Sequence, residues 1–192
     1  MVENLKLQNK TISSSDSNLP SGKTVTVPAS STANWCTDTT QACFERLLTL
    51  DATDTSIPDQ SSAQSNYGVY YNWYTATATY GTYEMNSGDV SYSICPNGWR
   101  LPTGGSTGEF KTLNDKYNSS ALMRGVPAFV LSGTRYGSNA TSNQGDNGAY
   151  WSSTARVGSY AYELGLGSSY DGPSDYYYKY SGYSVRCLAR EP

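Results

Sequence analysis

The sequence predicts a single α+β domain, residues 1–192, built from short antiparallel strands, one or two helices and long loops. Three observations lead to this prediction. Runs of tyrosine and β-branched residues favour strands, and clusters of Gly, Ser, Asn and Asp between them mark turns. Two stretches show apolar residues at helical spacing instead. A chain of 192 residues is long enough for one domain with a core of its own.

The first half of the chain is predicted to contain edge strands, a short helix and a buried strand. The segments LKLQNKTISSS and GKTVTVPAS have the pattern of edge strands on either side of a polar turn. Thr39 or Thr40 can cap a short helix whose apolar residues begin at Phe44. Residues 67–81, YGVYYNWYTATATYG, are predicted to form a buried strand that runs into a turn.

A second helix is predicted directly after a tight Pro-Asn-Gly turn. The stretch from Ser106 to Glu109 fits the capping-box pattern, in which a hydroxyl residue is followed three positions later by glutamate. Phe110, Leu113 and Tyr117 then recur at the i, i+3, i+7 spacing of an amphipathic helix. A Gly/Asn-rich loop follows further along and ends in a strand that includes Trp151.

The last forty residues are predicted to hold two or three strands. In YAYELGLG, strict alternation places Tyr160, Tyr162, Leu164 and Leu166 on one face of the strand. Of these, Tyr162, Leu164 and Leu166 are expected to be buried. Tyr183 and Val185 are expected to be buried in the final strand in the same way. The segment between these strands, from Tyr170 to Tyr178, contains Gly, Pro, Ser and Asp and is predicted to be a loop.

Composition excludes several classes of function. The chain has no histidine, which removes the commonest general base and the commonest metal ligand, so we expect no catalytic activity. Its net charge is -3 and it has no basic stripe, so neither nucleic acid nor an anionic membrane surface is an expected partner. No apolar run is long enough to span a membrane.

The four cysteines favour two disulfides, with four buried free thiols as the alternative. No C-x-x-C pair suggests zinc. Cys36 and Cys43 lie seven positions apart, which is close enough for a small-loop disulfide. Disulfides and a polar, tyrosine-rich surface are typical of an exported protein. We therefore expect an extracellular or cell-surface location, with any export signal or membrane anchor outside this sequence.

Five ordered segments resemble a known family. They are YNWYTATA, ICPNGWRLPT with a helix after it, FVLSGTRYG, YWSST and GYSVRC. In this order they resemble the Fibrobacter succinogenes major paralogous domain, a bacterial family, and MVENLKL resembles its early motif. The resemblance covers most of the chain and leaves residues 30–65 as an expected insertion.

The resemblance implies a C-type-lectin-like fold of the formylglycine-generating-enzyme kind. GWRLPT is similar to the strand-turn-helix element of that fold, and GYSVRC is similar to its last core strand. Cys95 before the helix and Cys187 on the last strand would then lie close enough for a disulfide. The copper or redox chemistry of the enzymes with this fold is not expected here, because the cysteines are placed for a structural role.

The same fold carries the variable proteins of diversity-generating retroelements, which resemble this chain in their tyrosine-rich C-terminal segment. Tyr, Ser, Asp and Gly codons all arise from an asparagine codon by changing adenines only. Residues 150–187 are therefore the expected variable, ligand-binding segment. Tyrosine gives large, rigid contact area at small entropic cost, and Ser and Gly adapt around it. The alternative is a tyrosine-rich β protein that has tyrosines on both faces.

The expected binding face is one contiguous exposed patch formed by the outward residues from Arg156 to Ser181, which are Arg156, Ser159, Glu163, Tyr170, Asp171, Asp175, Tyr176, Tyr177, Tyr178 and Ser181. We expect a protein or carbohydrate ligand on another cell or surface. The alternative function is a domain of fixed specificity that binds carbohydrate or a cell-wall polymer. No cofactor is expected.

Calcium is the one metal that the acidic loops suggest, as the alternative to a domain without a cofactor. Asp146, Asn147, Asp171 and Asp175 carry the oxygen ligands that calcium takes. Asp and Asn also stabilise tight loops without any metal, and we expect that role for them.

Overall fold

The computed structural model describes residues 4–7, 10–22, 24–27, 69–79, 87–125, 129–135, 141–168 and 170–190. Within these ranges the fold is α+β, with few helices and with strand ladders that are all antiparallel. The α+β prediction is therefore confirmed at this level. The helix expected after Thr39, the Cys36–Cys43 pair and the expected insertion lie outside the described residues.

A four-stranded sheet organises the fold, in the order β3-β7-β8-β9. Its strands are β3 (Gly88–Asp89), β7 (Asn147–Ala155), β8 (Tyr160–Gly167) and β9 (Asp171–Tyr178). The expected strand around Trp151 is confirmed as β7. Since β8 lies between β7 and β9, both of its edges are paired, whereas β9 is the last strand of this sheet in the described part of the chain.

Three two-stranded sheets complete the described strands. The predicted N-terminal edge strands pair with each other as β1 (Lys10–Ser13) and β2 (Thr24–Val27). β4 (Trp99–Arg100) pairs with β10 (Leu188–Ala189), which is distant from it in sequence. β5 (Thr134–Arg135) pairs with β6 (Thr141–Ser142), which is close to it in sequence.

The strand expected within residues 67–81 is instead a short helix, α1 (Trp73–Thr77). Burial was predicted correctly, since residues 69–79 are all buried. The helical turn forms because the Asn72 side chain accepts a hydrogen bond from the Thr75 amide at 2.8 Å. Ala78 then ends the helix in a left-handed conformation. A fully buried run has no polar-apolar alternation, so its pattern does not separate strand from helix.

The amphipathic helix is confirmed as α2 (Glu109–Tyr117), and α3 (Ser120–Gly125) follows it. Its predicted cap is wrong, because the helix begins at Glu109 with Gly108 at the N-cap. Thr103 takes the place expected for Ser106. The Thr103 hydroxyl accepts from the Glu109 amide at 3.0 Å, and the Glu109 carboxylate accepts from the Thr103 amide at 2.9 Å. The reciprocal bonding of a capping box is present, but across six residues rather than three.

Hydrophobic clusters cover the two faces of the four-stranded sheet. Trp73, Trp151 and Tyr183 belong to the larger cluster, and Trp151 and Tyr183 have ring centroids 4.4 Å apart. Phe110 of α2, with Leu164 and five other buried residues, forms the smaller cluster on the opposite face. Outside these two clusters, the surface at the β8–β9 end of the sheet is formed by its own side chains.

The predicted disulfide between Cys95 and Cys187 is confirmed, with an S–S distance of 2.04 Å. It joins the turn before β4 to the last buried segment of the chain, across 92 positions of sequence. Leu5 adds a link from the other end, because its amide donates to the Val185 carbonyl at 2.8 Å. Among the described residues, none of the helices has the length and apolarity to cross a bilayer.

Candidate ligand-binding site

The segment predicted to be a loop, residues 171–178, is a strand at the edge of the sheet. Pro173 lacks an amide donor, and an edge strand tolerates this. The register shifts between Glu163 and Gly165 of β8, where β9 advances from Asp175 to Gly172, so β9 holds one extra residue. This bulge accommodates the Gly-Pro-Ser stretch that suggested a loop.

Three tyrosines of this edge are exposed to solvent. The exposed fractions are 48% for Tyr170, 44% for Tyr176 and 37% for Tyr177. They make up half of the six large hydrophobic side chains that are exposed in the described part of the chain. Exposed aromatic residues gathered at one place are more typical of a binding surface than of a random surface.

Four tyrosines lie on one face of the β8–β9 hairpin, and we call them the tyrosine face: Tyr160, Tyr162, Tyr176 and Tyr178. Register places Tyr160 opposite Tyr178 and Tyr162 opposite Tyr176. The rings of Tyr160 and Tyr178 stack with centroids 4.6 Å apart, and the Tyr178 ring stacks on Tyr180 at 5.0 Å. Cross-strand aromatic pairs of this kind stabilise a hairpin.

Arg156 packs against one side of the tyrosine face. Its guanidinium carbon lies 3.5 Å from the centroid of the Tyr176 ring, which is cation–π geometry. A hydrogen bond with the Tyr178 side chain raises the pKa of Tyr160. The tyrosine face is therefore an ordered surface, in which rings and hydroxyls already contact one another.

The opposite face of the hairpin carries a cleft, which we call the acidic cleft, with a volume of about 630 Å³. Glu163 and Asp175, which are opposed across β8 and β9, provide its carboxyl groups. Tyr170 and Tyr177 contribute rings to the same cleft. Its lining also includes residues of the tyrosine face, so the two surfaces adjoin: Tyr160, Tyr176 and Tyr178.

Glu163 has an unusual electrostatic environment. Burial raises its pKa to about 8, the negative charge of Asp175 adds to the increase, and a hydrogen bond from the Tyr183 side chain opposes it. Burial also raises the pKa of Asp175. At neutral pH Glu163 is therefore largely protonated, so the pair can both donate and accept hydrogen bonds.

Glycines keep the acidic cleft open. A Cβ on Gly165 would lie 2.9 Å from the Tyr170 hydroxyl and 3.1 Å from Asp175 Oδ2. A Cβ on Gly172 would clash with these same two side chains. The hydroxyl of Tyr170 and the carboxylate of Asp175 therefore lie over positions where any larger residue would displace them.

Of the ten residues expected in the binding face, six line the acidic cleft: Glu163, Tyr170, Asp175, Tyr176, Tyr177 and Tyr178. Arg156 lies beside them through its contact with Tyr176. Ser159 is half-buried, and its carbonyl accepts from the Lys179 amide. Asp171 is half-buried opposite Leu166, on the other face of the sheet from Asp175.

Three burial predictions are wrong. Glu163 is buried rather than displayed, because it sits on the central strand between Trp151 and Asp175. Ser181 is fully buried, because the bend after β9 turns the chain directly into its last buried segment. Tyr162 is half-buried rather than core, because it extends beyond the smaller hydrophobic cluster and lies against Gly105.

The oxygen donors considered for calcium are not brought to one point. Asp171 and Asp175 lie on opposite faces of β9. The amides of Asp146 and Asn147 donate to the Asn143 carbonyl, which is the expected turn chemistry. In the described ranges, no group of three or more Asp, Glu, Cys or His side chains could hold a metal.

A second groove, of about 450 Å³, lies on the β3–β4 side and is lined in part by Tyr92, Arg100 and Glu109. There Glu109 is paired with a base, since both of its carboxylate oxygens accept from Arg100 at 2.6 Å. The Arg100 hydrogen bonds hold the pKa of Glu109 below its usual value. Glu109 was expected at the start of the helix, and its contact with Arg100 is the feature that the sequence did not reveal.

The sequence did not identify the floor of the acidic cleft. Gly165 and Ala149 lie opposite each other, and Gly148, Asn147 and Thr134 are close by in the lining. One signal was present in YAYELGLG, where Glu163 shares a face with Gly165 and Gly167. The two glycines leave that face with almost no side-chain volume beside the carboxylate. A strand face of that kind next to a carboxylate indicates space for a ligand.

Comparisons with known proteins add no relative. No protein-family model, no curated protein and no solved structure matches the chain.

Proposed function

We propose that this chain is an extracellular ligand-binding domain that displays the β8–β9 hairpin to a partner on another cell or surface. The observation that carries the proposal is the acidic cleft, which is open, adjoins the tyrosine face and is lined by three exposed tyrosines. Large, rigid tyrosine rings with Gly and Ser between them are the chemistry of paratopes. The function is binding rather than catalysis.

The scaffold supports a C-type-lectin-like fold for this domain. As the resemblance implies, GWRLPT leads from β4 into α2, and the segment after GYSVR returns beside β4 as β10. The Cys95–Cys187 bond closes this part of the chain. Disulfides are formed in oxidising compartments, which fits an exported protein.

The variable segment of a diversity-generating retroelement is the form of this proposal that we favour. Residues 150–187 would be the diversified segment. The residues that line the acidic cleft from β9 belong to an edge strand, so they can change with little effect on the two hydrophobic clusters. The buried residues Glu163 and Ser181 are then poorly suited to diversification.

A carbohydrate-binding domain of fixed specificity is the second candidate. It is favoured by the stacked rings of Tyr160, Tyr178 and Tyr180, because a row of aromatic rings offers apolar faces on which sugar rings can pack. Neighbouring DNA separates the two candidates. A near-copy of the 3′ coding end with mismatches confined to adenines, beside a reverse transcriptase gene, supports diversification, and its absence supports fixed specificity.

A binding experiment tests the proposed face directly. Fluorescently labelled protein is applied to a glycan array and to intact bacterial cells, as wild type and as the Tyr176→Ala/Tyr177→Ala double variant. Loss of two anchoring aromatic residues should weaken retention by about thirtyfold, equivalent to roughly 2 kcal/mol. The matched control is Tyr92→Ala, which removes an equally exposed tyrosine from the second groove. Retention that depends on Tyr92 and not on the other pair would contradict the proposal.

A further inference from the structure

The acidic cleft contains two carboxyl groups without a basic side chain in the described part of its lining. Glu163 and Asp175 are its carboxyl groups, and no Lys or Arg is among the described residues that line it. The two residues are register partners on β8 and β9. Opposed residues in an antiparallel pair have Cβ atoms about 5 Å apart, so the two carboxyl groups share a small volume. A cation placed there would stabilise the ionised form of both carboxyl groups.

Glu163 also presents an atom without a partner. The residue is 7% exposed, and its Oε2 has no hydrogen bond within the described part of the chain. A buried acceptor without a donor costs free energy, which an incoming N–H group would recover. Since Glu163 lines the cleft, a ligand in the cleft is the group placed to supply that donor.

The aromatic rings around the two acids suit a cation as well. Cations bind over aromatic faces, and cages of several rings are the usual site for organic ammonium groups. The hairpin already contains one such contact, because the Arg156 guanidinium lies 3.5 Å from the Tyr176 ring centroid. Tyr170 is nearly half exposed, and its hydroxyl lies close to Asp175 above Gly165.

We infer that the acidic cleft binds a basic side chain of a protein ligand, an arginine guanidinium or a lysine ammonium, between Glu163 and Asp175. The inference rests on the proposed function, because it names the chemistry that the displayed hairpin recognises. It favours a protein over a carbohydrate as the ligand. A guanidinium supplies both the missing N–H donor and the positive charge.

Binding of this kind depends on pH with a definite sign. The groups that face Glu163 are Asp175 from β9 and the Tyr183 hydroxyl from the C-terminal segment, and β7 contributes the uncharged Trp151. In the free protein Glu163 is protonated below about pH 8. A cation favours the ionised carboxylate, so binding releases a proton and affinity rises with pH.

The test uses three small probes with the complete, isotope-labelled chain, followed by two-dimensional NMR. Ethylguanidinium is the cationic probe, ethylurea is its neutral match in shape, and methyl β-glucoside represents carbohydrate. We expect ethylguanidinium to shift the amides of Gly165 and Gly172, with affinity rising by about tenfold between pH 6 and pH 8. Glu163→Gln and Asp175→Asn should each weaken this binding by roughly tenfold or more. Asp115→Asn, which removes an exposed carboxylate of α2, should leave it unchanged.

The outcomes separate this inference from the proposed function. Equal binding of ethylguanidinium and ethylurea, preferential binding of the glucoside, or affinity that falls as pH rises would each overturn the cation site while leaving a ligand-binding cleft in place. No shift with any probe would also overturn the cation site. The proposed function is tested separately, by measuring how well the Tyr176→Ala/Tyr177→Ala variant is retained on the glycan array and on bacterial cells.

Discussion

Two glutamates in this chain lie in opposite electrostatic environments. Glu109, at the start of α2, is half-exposed and accepts hydrogen bonds from both Arg100 and the Thr103 amide. Glu163, on the hairpin, is buried beside a second acid and keeps an oxygen without a partner. In the strand-turn-helix region, residues 95–117, the Glu109 carboxylate is therefore satisfied by neighbouring groups of the same region. The β8–β9 hairpin leaves polar and aromatic groups available, which is what a binding surface requires.

The largest expected effect tests how strongly the strand-turn-helix region is held. Replacing Cys95 and Cys187 with alanine removes a bond that closes a loop of 92 positions. In the chain-entropy model this lowers the free energy of unfolding by roughly 4 to 5 kcal/mol. Urea denaturation of the oxidised wild type and the double variant measures the difference. A loss below about 1 kcal/mol would show that this region is held by packing instead.

The two glutamates should give opposite dependence of stability on pH. The pKa of Glu109 is lowered, so its stabilisation is present above about pH 4.5 and is lost as pH falls through its folded pKa. The pKa of Glu163 is raised, so the folded state binds the proton more tightly, and stability falls as pH rises from about 4.5 to about 8.

Urea midpoints at pH 5 and pH 8 for the wild type, Glu163→Gln and Glu109→Gln measure this difference. We expect the wild type to lose roughly 3 to 4 kcal/mol between the two pH values, because one buried carboxyl must ionise. Glu163→Gln should remove most of that loss, and Glu109→Gln should retain it. The comparison of the two glutamates fails if both variants behave alike.

Two glycines extend the comparison to packing. A Cβ on Gly108 would clash with the backbone of Gly104, which cannot move without disturbing the start of α2. A Cβ on Gly172 would clash instead with the ends of two side chains, Tyr170 and Asp175, which can rotate away. We expect Gly108→Ala to cost about 2 kcal/mol and Gly172→Ala about 1 kcal/mol or less.

Gly172→Ala should nevertheless abolish ligand retention, because the displaced side chains fill the acidic cleft. Gly125→Ala is the control, since nothing lies within 4 Å of its added Cβ. Thermal melts measure the loss of stability, and the binding assay measures the loss of ligand retention. Equal losses of stability at Gly108 and Gly172 would remove this distinction between the two regions.

The smallest effects lie within the tyrosine face itself. Tyr178 is half-buried between Tyr160 and Tyr180, so Tyr178→Ala should cost about 1 kcal/mol of stability. Tyr176 is exposed and contacts Arg156, so Tyr176→Ala should change stability by about 0.5 kcal/mol or less. Denaturation in urea resolves the difference. A greater loss for Tyr176 than for Tyr178 would reverse this assignment of supporting and displayed rings.

Local pattern predicted much of the scaffold. Phe110, Leu113 and Tyr117 gave the correct helix, since their spacing reflects a single buried face. The helix α1 was missed because every residue around it is buried, which removes the periodic signal. The strand β9 was missed because Gly172 and Pro173 are turn residues in most settings, and only their edge position and a bulge allow pairing.

The candidate site was located by composition but not by geometry. Tyrosine content in residues 170–178 pointed to the segment whose Tyr170, Tyr176 and Tyr177 are exposed and line the acidic cleft. Alternation along β8 could not reveal that Glu163 is buried, because that depends on Trp151 and Asp175 in the neighbouring strands. Pairing between distant segments decides burial on a central strand, and a sequence pattern carries no direct record of it.

The stacked rings of Tyr160, Tyr178 and Tyr180 have an optical consequence. The three rings form a row with centroid spacings of 4.6 and 5.0 Å, and ordered aromatic rings give near-ultraviolet circular dichroism. Buried tyrosines such as Tyr71 and Tyr183 contribute to the same tyrosine bands, so the row accounts for one part of that signal. The part that Tyr178→Ala removes belongs to the row. A partner that separates the stacked rings would reduce that part of the signal, so the protein carries its own spectroscopic label for ligand binding.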